Sequence, residues 1–152
     1  DIEYRIFDRL GLTLIETNKD GKKSYETYPG RESIEPLTTQ EALLITSQKT
    51  TLNPLEAILI EDVKPGSEYR GALPAYKVKT DSKDKINVYV GYMTGDISSI
   101  RSDSWRIWDL MWSLHIMDYR ERDNINNILL KLLSVLALIT SLSGITLFFV
   151  KK

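Results

Sequence analysis

Residues 132–150 read LLSVLALITSLSGITLFFV, nineteen positions without a charge and apolar except for Ser, Thr and one Gly. At about 1.5 Å per residue a helix of this length reaches roughly 28 Å, close to the hydrocarbon thickness of a bilayer. Lys131 stands just before it, and Lys151 and Lys152 close it, each long enough to reach a headgroup layer. A chain of 152 residues cannot easily surround such a helix on every side. A transmembrane helix is therefore expected, and the rest of the chain is read as what it anchors. Within it Ser134, Ala137, Ser141 and Gly144 recur at spacings of three, four and three. Small residues on one stripe would let a second helix approach closely.

Immediately upstream, Trp105, Trp108, Trp112, His115 and Tyr119 recur at spacings of three and four, which places them along one stripe of a helix. Ile107, Leu110, Met111 and Leu114 widen the apolar side, while Arg106 and Asp109 mark other directions. All three tryptophans of the chain fall here, and indole partitions to the headgroup layer because it joins a large apolar body to one N–H donor. Residues 104–119 thus read as an amphipathic interfacial helix, with residues 120–131 as a hydrophilic hinge into the bilayer. Arg120 and Arg122 before the anchor balance Lys151 and Lys152 after it, so the charge pattern does not orient the chain.

Further back, residues 1–36 read as a lead-in followed by a hairpin. In DIEYRIFDRL the apolar positions Ile2, Ile6, Phe7 and Leu10 suit a short amphipathic helix or an irregular entry. Asp20-Gly21 between LTLIETN and SYETY is a strong hairpin signal. Thr38-x-x-Glu41 reads as a capping box that opens a helix with Ala42, Leu43, Leu44 and Ile45 on its apolar side, and Asn53-Pro54 is expected to stop it. Three strands follow: LEAILIEDV, PAYKVKT, and KINVYVGY with Ile86, Val88 and Val90 on one face and Asn87 and Tyr89 on the other. ISSI after Thr94-Gly95-Asp96 returns as a short fourth. A helix followed by an antiparallel meander implies an α+β domain, the helix packed on the sheet.

The helix opened by Thr38, then PAYKV, then VYVGYMTGDI resemble a PepSY domain over residues 37–103. WRIWDLMWSLHIMDY and the terminal helix are similar to the C-terminal half of PepSY-associated transmembrane proteins. Gly91 stands where the family's "TG" turn usually carries an Asp. The resemblance implies an anchored, non-catalytic module on the periplasmic face of a bacterial inner membrane, binding an envelope protein and in one form restraining a peptidase. The alternative is an accessory or structural subunit of a membrane redox or iron/haem transport complex. In either case an exposed sheet edge or face would meet the partner, with Tyr76 and Tyr89 as its anchors if they face outward.

Composition narrows the chemistry. Residues 1–104 carry 14 Lys/Arg against 17 Asp/Glu and residues 105–152 carry 6 against 4, so no concentrated basic face for nucleic acid is expected. Without cysteine there is no disulfide framework, thiol nucleophile or cysteine metal site. The chain opens on Asp1 with no hydrophobic run before the soluble part, so either an upstream segment is removed or left out, or the terminal helix alone inserts it. His115 is the single histidine, and with Asp118 it supplies two ligands at most, a poor metal site; an axial bond to haem is its remote alternative. Glu61 and Asp62 alternate faces on a strand and form no acid/base pair. No cofactor is expected. Partners are membrane lipid and another membrane or envelope protein.

Overall fold

The computed structural model describes residues 2–120, 122 and 124–150, so Lys151 and Lys152 lie outside the described residues. The chain divides into two compact units, Asp1–Ser104 and Trp105–Lys152.

The first unit opens with an antiparallel sheet of three strands, β1 (Ile2–Arg9), β2 (Leu12–Lys19) and β3 (Lys22–Thr27), in that order. The expected lead-in helix is therefore corrected to a strand. Its cause is local: Leu10 and Gly11 have φ of 54° and 83°, and Arg9 pairs with Leu12 across them. Two successive residues at positive φ make the tight turn whose twist matches a hairpin. Pairing with β2 runs along all eight residues of β1 and satisfies the backbone groups on that side of the strand, which outweighs a weak helical period. Asp20-Gly21 makes the same turn, at 52° and 82°, where the sequence places it.

Helix α1 (Thr39–Lys49) begins at the expected cap: Glu41 N donates to Thr38 Oγ1 at 3.3 Å, and Thr38 N donates to Glu41 Oε2 at 2.7 Å. It ends at Lys49, before the expected stop, and Pro54 instead opens β4. The backbone N–H of Thr38 holds the Glu41 carboxyl below its ordinary range. A carboxyl lowered by folding adds stability above its unfolded pKa, about 4.3, and that stability is lost as pH falls through the folded value. We expect Thr38→Ala to lower unfolding free energy by about 1 kcal/mol at neutral pH in urea titrations. The gap between wild type and Glu41→Gln should close on acidification.

The second sheet is an antiparallel meander, β4 (Pro54–Ile60), β5 (Ala75–Thr80), β6 (Asn87–Gly91) and β7 (Ile97–Arg101). The first expected strand ends at Ile60, so Glu61 and Asp62 lie beyond it. Alternation along β5 and β6 sends Tyr76, Val78, Val88 and Val90 to one face, where Ala42 and Ile45 of α1 and Leu37 complete a buried core. The opposite face carries Ala75 and Tyr89, which bury against Tyr69, with Ile60 and Val63 alongside. Arg9, nearly buried, joins the two sheets by donating to the carbonyls of Glu35 and Met93 at 2.9 and 3.0 Å.

Helix α2 (Asp103–His115), all but its first two residues in the second unit, ends one turn earlier than expected, leaving Tyr119 beyond the helix. The next helix begins at Ile128, inside the expected hinge, whose Glu121 and Asp123 lie outside the described residues. Asp118 accepts from the backbone N–H groups of Arg120 and Asn124 at 3.1 and 3.0 Å. Asn127 Nδ2 donates to Ile116 O at 2.7 Å, while its Oδ1 caps the next helix by accepting from Leu130 N at 2.9 Å. Helix α3 (Ile128–Val150) has 23 residues, so Lys131 lies in its first turns instead of preceding it. At about 1.5 Å per residue α3 is roughly 34 Å long, sufficient by length and composition to cross a membrane.

Candidate functional site

Tyr76 and Tyr89 do not face outward. Tyr76 is 6% exposed, under α1, with its hydroxyl donating to Leu37 O at 2.8 Å. Tyr89 is 1% exposed, and its ring stacks on Tyr69 at a centroid distance of 4.5 Å. Their outward position is corrected because both faces of β5 and β6 are covered, one by a helix and the other by Tyr69 in the segment joining β4 to β5. Glu68 fixes that segment, accepting from Asn87 Nδ2 and Tyr89 Oη at 2.5 Å each, with Lys77 Nζ at 3.0 Å. Its backbone carbonyl accepts from Arg101 Nε at 2.9 Å.

Helix α2 has the opposite polarity to a helix of a soluble core. Ile107, Trp108, Met111 and Trp112 are exposed, as are Leu110 and Leu114, whereas Asp109 and Ser113 are buried. The polar side is satisfied internally: Arg122 Nη1 donates to Asp109 Oδ2 at 2.8 Å, and Ser113 Oγ to Leu110 O at 2.7 Å. Trp108 stacks on Trp112, and Trp112 lies against His115, each pair at 5.9 Å. Trp105 is half-buried and Tyr119 is exposed outside the helix. Three members of the expected stripe thus form one outward ladder. His115 is exposed, while the Asp118 oxygens are engaged by backbone N–H groups, so the two do not make a ligand pair. Among the described residues no group of three His, Cys, Asp or Glu could hold a metal ion.

Helix α3 is exposed from Lys131 to Val150, including Ser134, Ala137, Ser141 and Gly144. Its hydroxyls turn inward to the helix backbone. Ser134, Thr140 and Ser143 donate to Leu130, Leu136 and Ile139 carbonyls at 2.7–3.0 Å. Such bonds remove the cost of carrying a hydroxyl in hydrocarbon.

A third feature was not foreseen. Arg5, Glu16, Lys23 and Tyr25 on the first sheet, with Tyr69, Tyr92, Asp96 and Ser98, line a cleft of about 280 Å³. Arg5 Nη2 reaches Asp96 Oδ2 at 2.6 Å, and Lys23 Nζ reaches Glu16 Oε1 at 2.5 Å. That contact with Glu16 raises the Lys23 pKa, and burial raises that of Tyr25. The signal existed in the sequence. Once Leu10-Gly11 is read as a hairpin turn, Arg5 falls opposite Glu16.

No family model, curated protein or solved structure matches the chain.

Proposed function

We propose that this chain is a membrane-anchored binding protein without catalysis of its own. In this reading α3 spans the bilayer, α2 lies in its surface, and the first unit is a PepSY-type module that acts on an envelope protein partner, with restraint of a peptidase as one form. The observation that carries it is the reversed polarity of α2, which exposes Trp108 and Trp112 and buries Asp109. Exposed apolar residues on one helical side are stable where lipid, not water, meets them. With Tyr76 and Tyr89 enclosed, the partner surface moves to β1, an edge strand with Ile2, Tyr4 and Ile6 exposed, and to the edge strand β4 with Leu55. An edge supplies unpaired backbone groups for a partner strand.

Because every tryptophan lies in α2, intrinsic emission reports on that helix alone. Reconstituted wild-type protein should be strongly quenched by lipids brominated near the headgroups and weakly by aqueous iodide. The reverse ranking would refute surface docking. Trp105→Ala, Trp108→Ala and Trp112→Ala combined should loosen α2, read as faster proteolysis within residues 103–127 on liposomes.

The second reading, an accessory subunit of a membrane redox or iron/haem transport complex, is favoured by the open small-residue stripe of α3. Nothing lies within 4 Å of where a Gly144 Cβ would stand. Under this reading Ala137→Leu with Ser141→Leu should release co-purifying subunits, while changes on β1 should not. Under the first reading the two results exchange.

A further inference from the structure

The inner face of the first sheet holds a carboxylate with one oxygen unused. Register places Glu16 between Arg5 on β1 and Tyr25 on β3, and the residue is only 5% exposed. Lys23 occupies Oε1 at 2.5 Å. Arg5 Nη1 stands 3.9 Å from Oε2, beyond hydrogen-bonding range, and its Nη2 is committed to Asp96. Oε2 is buried and has no hydrogen-bond partner. Two residues along the same face, Asn18 Nδ2 donates to Glu3 Oε2 at 3.2 Å, while Asn18 Oδ1 is buried and likewise without a partner. Glu16 and Asn18 line a second recess of about 330 Å³, which shares Arg5, Glu16 and Lys23 with the first.

Buried polar atoms are nearly always paired, and an unpaired one costs about 1–3 kcal/mol. Both unused atoms here are acceptors, so the missing partner is a donor. Its charge follows from the walls: Arg5 and Lys23 against Glu3, Glu16 and Asp96 leave the two recesses one negative charge in excess. An anion has no free donor to meet at either atom. A divalent cation would find too few acidic ligands. Glu16 and Asn18 stand two apart on β2, so both side chains lie on one face of the sheet, their backbones about 6.8 Å apart.

We infer that this recess binds a primary ammonium group, which donates to Glu16 Oε2 and Asn18 Oδ1 while the adjoining cleft receives the rest of the ligand. The ammonium belongs either to an α-amino group, free or at a chain terminus, or to a lysine side chain. The inference is independent of whether α3 lies in lipid.

The test uses the full chain in detergent micelles, with calorimetry and the amide resonances of Glu16 and Asn18 as readouts. Three probes place the ammonium differently: alaninamide at the α-amino group, N-acetyl-lysinamide at the end of the side chain, and N-acetyl-alaninamide nowhere. Saturable binding of the first or the second is expected, with shifts at both amides, and whichever binds identifies the source of the ammonium. N-acetyl-alaninamide should not bind. Glu16→Gln keeps the shape of the side chain but removes the carboxylate charge, and should weaken binding roughly tenfold or more, the ordinary effect of losing a charged acceptor. Failure of both ammonium probes to saturate, or equal binding of the acetylated alanine, would overturn the inference on the wild-type protein alone. Unweakened binding by a folded Glu16→Gln variant would overturn it as well.

Discussion

Tyr89→Ala is expected to remove about 4 kcal/mol of stability from the first unit, the middle of the range for deleting a buried aromatic ring. The ring is enclosed at 1% exposure, and it stacks on Tyr69 at an interplanar angle of 9°. Such a stack contributes about 0.5–1.5 kcal/mol beyond the buried area. Small domains hold only about 5–15 kcal/mol in total, so the variant should unfold at a much lower urea concentration by near-UV circular dichroism. Tyr89→Phe keeps the stack but leaves Glu68 without the hydroxyl it accepts at 2.5 Å. It should cost about 1–3 kcal/mol. An exposed partner anchor would give another pattern, with both substitutions within about 0.5 kcal/mol of wild type and the loss confined to binding. Urea titration of the two variants therefore separates a packing role from a contact role.

The misplacement of Tyr89 shows where sequence reasoning reaches its limit in this fold. Alternation along KINVYVGY correctly divides Val88 and Val90 from Asn87 and Tyr89, because side chains of a strand alternate whatever covers them. What covers the second face is a tertiary matter. Tyr69 comes from a segment rich in Gly, Pro and charge, with no period to mark it as a lid. The capping box at Thr38 and the turn at Asp20-Gly21 were legible because each is closed by residues within a few positions. The turn at Leu10-Gly11 was hidden by its Leu, a residue that seldom adopts positive φ, and that one omission concealed β1. The Glu16 recess disappeared with it, since its residues meet only through the register of β1 with β2 and of β2 with β3. On α2, spacing placed Trp108, Trp112 and His115 on one ladder. In the sequence Asp109 only points away from that ladder, because its partner Arg122 lies thirteen residues on, within the hinge.

Leu138→Asp combined with Leu142→Asp should release the protein from membranes, whereas either change alone should not. The reason is quantitative. The α3 sequence contains fifteen Leu, Ile, Val and Phe residues. At about 0.3–0.6 kcal/mol each, they favour insertion by roughly 5–9 kcal/mol before the smaller opposing effects of Ser, Thr, Gly and Lys. An Asp near the helix centre costs about 2.5–3.5 kcal/mol, and each substitution also deletes a favourable Leu. One Asp leaves a positive margin; two bring the balance to about zero or past it. With α3 in a bilayer as proposed, the position of Lys131 in the first turns would let the ammonium reach the headgroups. Alkaline carbonate extraction reads the outcome: wild type and the single variants stay with the lipid pellet, and the double variant moves to the supernatant. A helix hidden in a groove of a soluble partner would behave differently. The wild type itself would then be extracted by carbonate, and a single Asp facing that groove would already break the complex, since an unpaired charge buried in protein is not rescued by neighbouring apolar residues.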